Sequence, residues 1–158
     1  MDDRLRQVAI DRAPVEAALA EAERRLAVGE TAQLRQYAGQ AARLLCRNDP
    51  AIEHLSRAFE LEPSPPARIR LGEAYRCADR LGEALTTLTE ALAESRQTPF
   101  EDFALQHLGK ALTDAGRADE AVDTLERALA LRREKGDPAL VESSERALER
   151  APALLRQP

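Results

Sequence analysis

The 158-residue sequence is poor in the residues that build sheets. Val and Ile together number eight, aromatics are 3% and Trp is absent. Strands draw on β-branched and aromatic side chains, so a sheet-rich fold is excluded. Long apolar runs are also missing, and with them any membrane span. The N-terminus, Met1-Asp2-Asp3-Arg4, carries acid and no apolar core, which argues against a secretory signal and for a cytoplasmic setting. Cysteines number two, Cys46 and Cys77, and histidines two, His54 and His107, none in a metal-ligand spacing. No metal and no cofactor is expected, and the thiols are expected to be free. The net charge of −5 excludes bulk attraction to nucleic acid or to an anionic membrane.

What remains is Ala (30 residues), Leu (23) and Arg (21), a composition that favours helices throughout. The fold class read from it is all-α. A repeat then organises the chain. Gly39, Gly72 and Gly109 are each followed twelve residues later by an alanine (Ala51, Ala84, Ala121) and seven further by another (Ala58, Ala91, Ala128). Three before the second alanine stand Leu55, Leu88 and Leu125. Only seven glycines exist, and three hold this one position.

Punctuation supplies the frame. Ser64-Pro65-Pro66 reads as an N-cap and first turn, because a first turn leaves its N–H groups unpaired and proline has none to lose. Thr98-Pro99-Phe100-Glu101 has capping-box form, with Thr98 as N-cap. Asn48-Asp49-Pro50 and Asp137-Pro138 start two more helices. Ala115-Gly116-Arg117 reads as an interhelical turn and Arg80-Leu81-Gly82 as another. Gly29 and Gly136 sit at helix ends. This gives one domain over 1–158: N-terminal degenerate or capping helices in 1–30, with a short leading helix at 3–10; hairpin units at 32–64, 65–98 and 99–136; and a C-terminal capping helix at 138–156, ended or kinked by Pro152. Two helices of a hairpin approach closely only where side chains are small, so the glycine of each first helix is expected to face the alanine of the second. Seven or eight helices are expected in all.

The pattern resembles the tetratricopeptide repeat. Leu71-Gly72, Tyr75, Ala84, Leu88 and Ala91 carry the resemblance in the second unit. Leu108-Gly109, Leu112, Ala121, Leu125 and Ala128 carry it in the third. Gly39, Ala51, Leu55, Ala58 and Pro63 carry it in the first. The resemblance implies a superhelix of antiparallel helix pairs, an α-solenoid, whose first helices line a concave groove that takes peptides of partner proteins. On that basis the groove positions are Gln33, Gln36, Tyr37, Gln40 and Arg43; Ile69, Arg70, Glu73, Arg76 and Cys77; and Phe103, Gln106, His107, Lys110 and Asp114. Arg43, Arg70, Arg76 and Lys110 against Glu73 and Asp114 leave a positive excess, suited to an acidic partner. Arg70 and Arg76 are both expected at the surface, with Tyr37 and Phe103 as apolar anchors. The Lys and Asn set with which some relatives clamp a C-terminal carboxylate is absent; Gln36, Gln40, Arg70 and Glu73 occupy that region.

Neither histidine has a nucleophile or acid at a spacing one helix would bring together, and no phosphate loop or nucleophile motif occurs. His54 is expected to be partly exposed. The reading is a non-enzymatic scaffold or adaptor that binds a protein or peptide. The alternatives are a self-associating structural homodimer and a small chaperone of the secretion type.

Overall fold

The structure, a computed structural model, describes residues 6–153 and is all-helical there. Eight helices follow in order: α1 (Arg12–Leu26), α2 (Ala32–Leu44), α3 (Asn48–Leu61), α4 (Pro65–Cys77), α5 (Leu81–Ser95), α6 (Glu101–Asp114), α7 (Ala118–Lys135) and α8 (Pro138–Ala153). Local chemistry sets several starts. The Asp11 carboxylate accepts from the Ala13 N–H, Thr31 Oγ1 from Leu34, and Asp137 from both Ala139 and Leu140. Each satisfies a donor that the first turn leaves orphaned. Ser64 is the N-cap of α4, with proline in the first turn. Gly136 ends α7 in the left-handed conformation.

Three expectations about local structure are corrected. Thr98 is not the cap of α6: Glu101 opens that helix, and its carboxylate reaches back to the Gln97 N–H. Thr98 instead closes a turn by donating to the Ser95 carbonyl. The turn between α4 and α5 is Ala78-Asp79-Arg80, and Gly82 lies inside α5. Residues 6–10 of the expected leading helix are not helical, and residues 3–5 lie outside those described, as do residues 154–156 of the C-terminal cap. Pro152 does not end α8, which continues to Ala153.

The three hairpin turns share one device. Cys46, Asp79 and Gly116 occupy equivalent repeat positions and all have positive φ (58°, 60° and 75°). The next residue's N–H, of Arg47, Arg80 and Arg117, bonds back to the carbonyls of Ala42, Tyr75 and Leu112 at 2.9, 3.0 and 2.9 Å. That is the Schellman closure, which turns the chain sharply into the next helix.

Helices pack as pairs, α2 on α3, α4 on α5, α6 on α7, and the pairs stack in order. The first helices also touch one another, α2 with α4, α4 with α6 and α6 with α8. The layer α2–α4–α6–α8 is therefore the crowded inner one, and the face it presents is concave. Within each pair the glycine's nearest neighbour is a leucine; the expected alanine also stands close in two pairs, through the Ala51 carbonyl beside Gly39 and the Ala121 carbonyl beside Gly109. A Cβ on Gly39, Gly72 or Gly109 would lie 2.6, 2.5 and 2.5 Å from Cγ of Leu55, Leu88 and Leu125. Ala84, Ala91, Ala121 and Ala128 are fully buried beside those leucines.

Candidate functional site

The concave face carries a cavity of about 260 Å³. Gln40 and Arg43 of α2, Ile69, Arg70 and Glu73 of α4, and Phe103, Gln106, His107 and Lys110 of α6 line it. These nine are groove positions expected from the sequence, and the repeat brings them together because equivalent offsets from Gly39, Gly72 and Gly109 point the same way. A second cavity of about 230 Å³ adjoins the first and shares Gln40, Ile69, Arg70, Phe103 and His107, adding Pro66 and Phe100. Gln33, Gln36 and Tyr37 lie further along α2, beside a shallower hollow with Arg43 and Arg70.

Arg76 is the main correction. It is fully buried and lines neither cavity. Its Nε and Nη2 donate to both oxygens of Glu73 at 2.8 and 2.9 Å, and Nη1 donates to Asp114 Oδ2 at 2.7 Å. Arg150 of α8 holds the other Asp114 oxygen at 2.7 Å. The residue expected as a surface charge is thus the pin between α4 and α6, and Asp114 is consumed by the same network. Burial alone would raise the Glu73 pKa, but His107 and Arg76 beside it hold the carboxyl well below the usual range. His107 Nδ1 stands 2.9 Å from Glu73 Oε2, and burial lowers its pKa against the pull of that carboxylate. Cys77 is buried, and desolvation raises its pKa, so it is no activated nucleophile. His54, expected to be partly exposed, is buried, and its Nδ1 faces Arg35 Nη1 at 3.0 Å.

Several lining residues escaped the sequence reading. Arg132 of α7 and Leu140 and Ser143 of α8 close one end of the cavity, and Gln7 closes the other. Arg132 reaches inward because it is tied down: Nε donates to Asp102 at 2.9 Å and Nη1 to Ser144 Oγ at 3.1 Å. Ser144 in turn donates to Gln106 Oε1 at 2.7 Å. The place of α8, directly after the third hairpin where a further first helix would stand, was a usable signal, since first helices line the groove. For Gln7 there was none. The segment carrying it is not helical and crosses the ends of α2 and α4, with Ala9 N–H on the Leu44 carbonyl at 2.9 Å and Arg6 Nη1 on the Cys77 carbonyl at 3.4 Å. Gln7 Oε1 accepts from Arg43 Nη2 at 3.3 Å.

Among the described residues no helix is long and apolar enough to cross a membrane, and no group of His, Cys, Asp and Glu could hold a metal ion. No curated protein sequence matches the chain. Residues 66–134 match the family model described as tetratricopeptide repeat. Crystal structures of nearly identical TPR-like repeats, assigned to a putative kinesin light chain of Podosopora anserina, share the fold. One has a TM-score of 0.70 at 20% identity, covering 87% of this chain and 76% of that one. Another has a TM-score of 0.68 at 20% identity, covering 87% and 77%. At such identity the likeness speaks for the fold alone. The tetratricopeptide-repeat model thus matches the stretch from α4 to α7, and the wider chain shares the helical solenoid fold of TPR-like repeats.

Proposed function

We propose that this protein is a non-enzymatic interaction module that binds an extended segment of a partner protein along the concave face. Tetratricopeptide repeats generally mediate contacts between proteins. The observation that carries the groove reading is the pair of adjoining cavities. They form one trough with an apolar side, Ile69, Phe100 and Phe103, and a polar side, Gln40, Arg43, Arg70 and Lys110. Apolar lining with a few polar groups that fix orientation is the usual make-up of a binding cleft. The chain's own non-helical residues at the trough's edge support the same reading, since Gln7 already places a side-chain amide from outside the helices against Arg43.

The test is capture of partners from a lysate of the source cell by three proteins. One is the wild type. One carries Tyr37→Ala, Arg70→Glu and Phe100→Ala, all side chains with solvent exposure on the concave side. One carries Glu126→Lys on exposed α7. Partners lost only with the triple variant are expected; partners kept by it would move binding off this face.

A second reading has its own observation. Ile10, Val28 and Tyr37 are 98%, 93% and 63% exposed, and all lie in the α1–α2 end. An apolar end face is a route to a homodimer. Light scattering on the pure protein decides it: a dimer that Tyr37→Ala dissociates supports self-association, and a monomer excludes it.

A further inference from the structure

Three cations in the first concave cavity make no ion pair among the described residues. Arg70 makes no hydrogen bond or ion pair there, and neither does Lys110, which is only 8% exposed. Arg43, equally buried, bonds two neutral acceptors, Gln40 Oε1 at 3.1 Å and Gln7 Oε1 at 3.3 Å, while its Nη1 is buried with no acceptor. The other charges of the wall are matched. Glu73 is taken by Arg76 and His107, and Arg132 by Asp102. Buried charges in folded proteins are ordinarily paired; Arg43 and Lys110, both nearly enclosed, make no ion pair, and with the half-buried Arg70 they leave a cationic excess around one cavity where an anion would fit.

We propose that this cavity is an oxyanion site with Arg43, Arg70 and Lys110 as its cationic walls, and that its occupant is the phosphate of a phosphoserine or phosphothreonine on the bound segment. The proposal rests on the groove reading above. The charge count selects the ligand. A carboxylate offsets one of three cations, whereas a phosphomonoester carries about −1.5 to −2 at neutral pH and three acceptor oxygens. Depth selects it too. Lys110 and Gln106 lie at the floor, 8% and 1% exposed, so the group must reach beyond the Cβ of a short acidic side chain. The floor also offers the Gln106 amide and the His107 ring beside the cations. Arginine guanidinium and lysine ammonium are the usual partners of phosphate oxygens.

Arg70 and Lys110 are suitable for substitution because neither makes a hydrogen bond or ion pair among the described residues, and Glu73, which acts on Lys110, keeps its own partners Arg76 and His107. The probes are three blocked tripeptides, Gly-X-Gly with X as phosphoserine, serine or glutamate, and inorganic phosphate, titrated at constant ionic strength and followed by NMR shifts of the Lys110 and Gln106 amides. The phosphoserine tripeptide is expected to bind at millimolar concentration or better, the glutamate form about tenfold more weakly, and the serine form not at all. Arg70→Gln and Lys110→Met should each weaken phosphoserine binding about tenfold with an unchanged helical spectrum, and Arg70→Lys should keep part of it. Glutamate binding as tightly as phosphoserine overturns the phosphate assignment. Inorganic phosphate binding as tightly as the phosphoserine tripeptide overturns the peptide source. No saturable shift with any probe up to about 10 mM, or equal affinity in Lys110→Met, overturns the site itself. If partner capture still depends on Tyr37 and Phe100 in that case, the groove reading stands and only the oxyanion site has failed; capture independent of them with phosphoserine bound gives the converse.

Discussion

Gly72 lies directly over Leu88: a Cβ on the glycine would stand 2.5 Å from Leu88 Cγ and 2.7 Å from its Cδ2. The leucine fills the notch that the glycine leaves, and Gly39–Leu55 and Gly109–Leu125 repeat the arrangement. A glycine in mid-helix costs about 1 kcal/mol of helix propensity relative to alanine. The close approach it allows, with a fully buried leucine, offsets that cost.

Gly72→Ala should therefore destabilise the protein despite its better propensity, since real Cβ atoms do not sit that near a branched carbon and α4 must shift from α5. Overpacking of this kind costs about 1–3 kcal/mol. Leu88→Ala should cost about 2–5 kcal/mol. In the double variant the methyl added at position 72 has room, so the losses should fall short of their sum by about 1 kcal/mol in urea denaturation. Strict additivity would show that the two residues do not share the space.

Arg76 binds two carboxylates on two helices, and none of the three side chains reaches solvent appreciably. Arg76→Gln removes the cation and leaves Glu73 buried, helped only by His107. Breaking a buried pair from one side costs about 3–5 kcal/mol. Replacing Arg76, Glu73 and Asp114 together with Met, Gln and Asn should cost clearly less, because the triad's charges then leave the interior together. Thermal melts of the two variants check the order; a single variant as stable as wild type would contradict the pin.

The repeat made the fold legible because it is written in residues with one use, glycine at a close crossing and alanine beside it. Register within the repeat was legible too, and nine of the expected groove positions line one cavity. What escaped was pairing. Nothing in the spacing of Arg76 distinguishes it from Arg70 six residues earlier, yet those six residues are less than two helical turns and rotate Arg76 away from the cavity toward Asp114. The turn at Asp79 was misplaced for a similar reason: only the third unit uses glycine at the left-handed position, and Gly82 lies three residues beyond the true turn. The segment at Gln7 has no periodicity at all, so its contact with Arg43 could only be seen in three dimensions.

His54 should make stability sensitive to mild acid. Burial, then the charge of Arg35, pushes its pKa below 6.5. The unfolded state therefore binds the proton more readily than the folded one. Stability from this residue is complete above 6.5 and is lost as pH falls from there toward the folded-state pKa. Protonation would also set two cations face to face across the 3.0 Å contact. Comparing urea midpoints at about pH 7.5 and 5.5, on either side of the unfolded-state value, the wild type should lose more than His54→Gln, whose amide oxygen can accept from Arg35 at either pH. An equal loss in both proteins would place the acid sensitivity elsewhere.

Lys110→Met should raise stability while lowering anion affinity. The ammonium is nearly enclosed, and desolvation, with the nearby Arg76 and Arg132 charges, lowers its pKa below 10.5 although Glu73 pulls the other way. A lowered lysine pKa means that the charge is less welcome folded than unfolded, so at neutral pH it works against folding. The penalty fades as pH rises from the folded-state value toward 10.5, and wild-type stability should climb over that window relative to the Met variant. Methionine has nearly the same length and no charge to desolvate, and no hydrogen bond described for Lys110 is lost. A gain of about 1 kcal/mol at neutral pH is expected, the size typical of substitutions that trade function for stability. Phosphate added to the wild type should close part of this gap, because an anion bound only by the folded state stabilises it by mass action. A Met variant less stable than wild type at neutral pH, or a gap that phosphate does not narrow, would mean that the lysine is content where it lies and that the cavity asks for no anion.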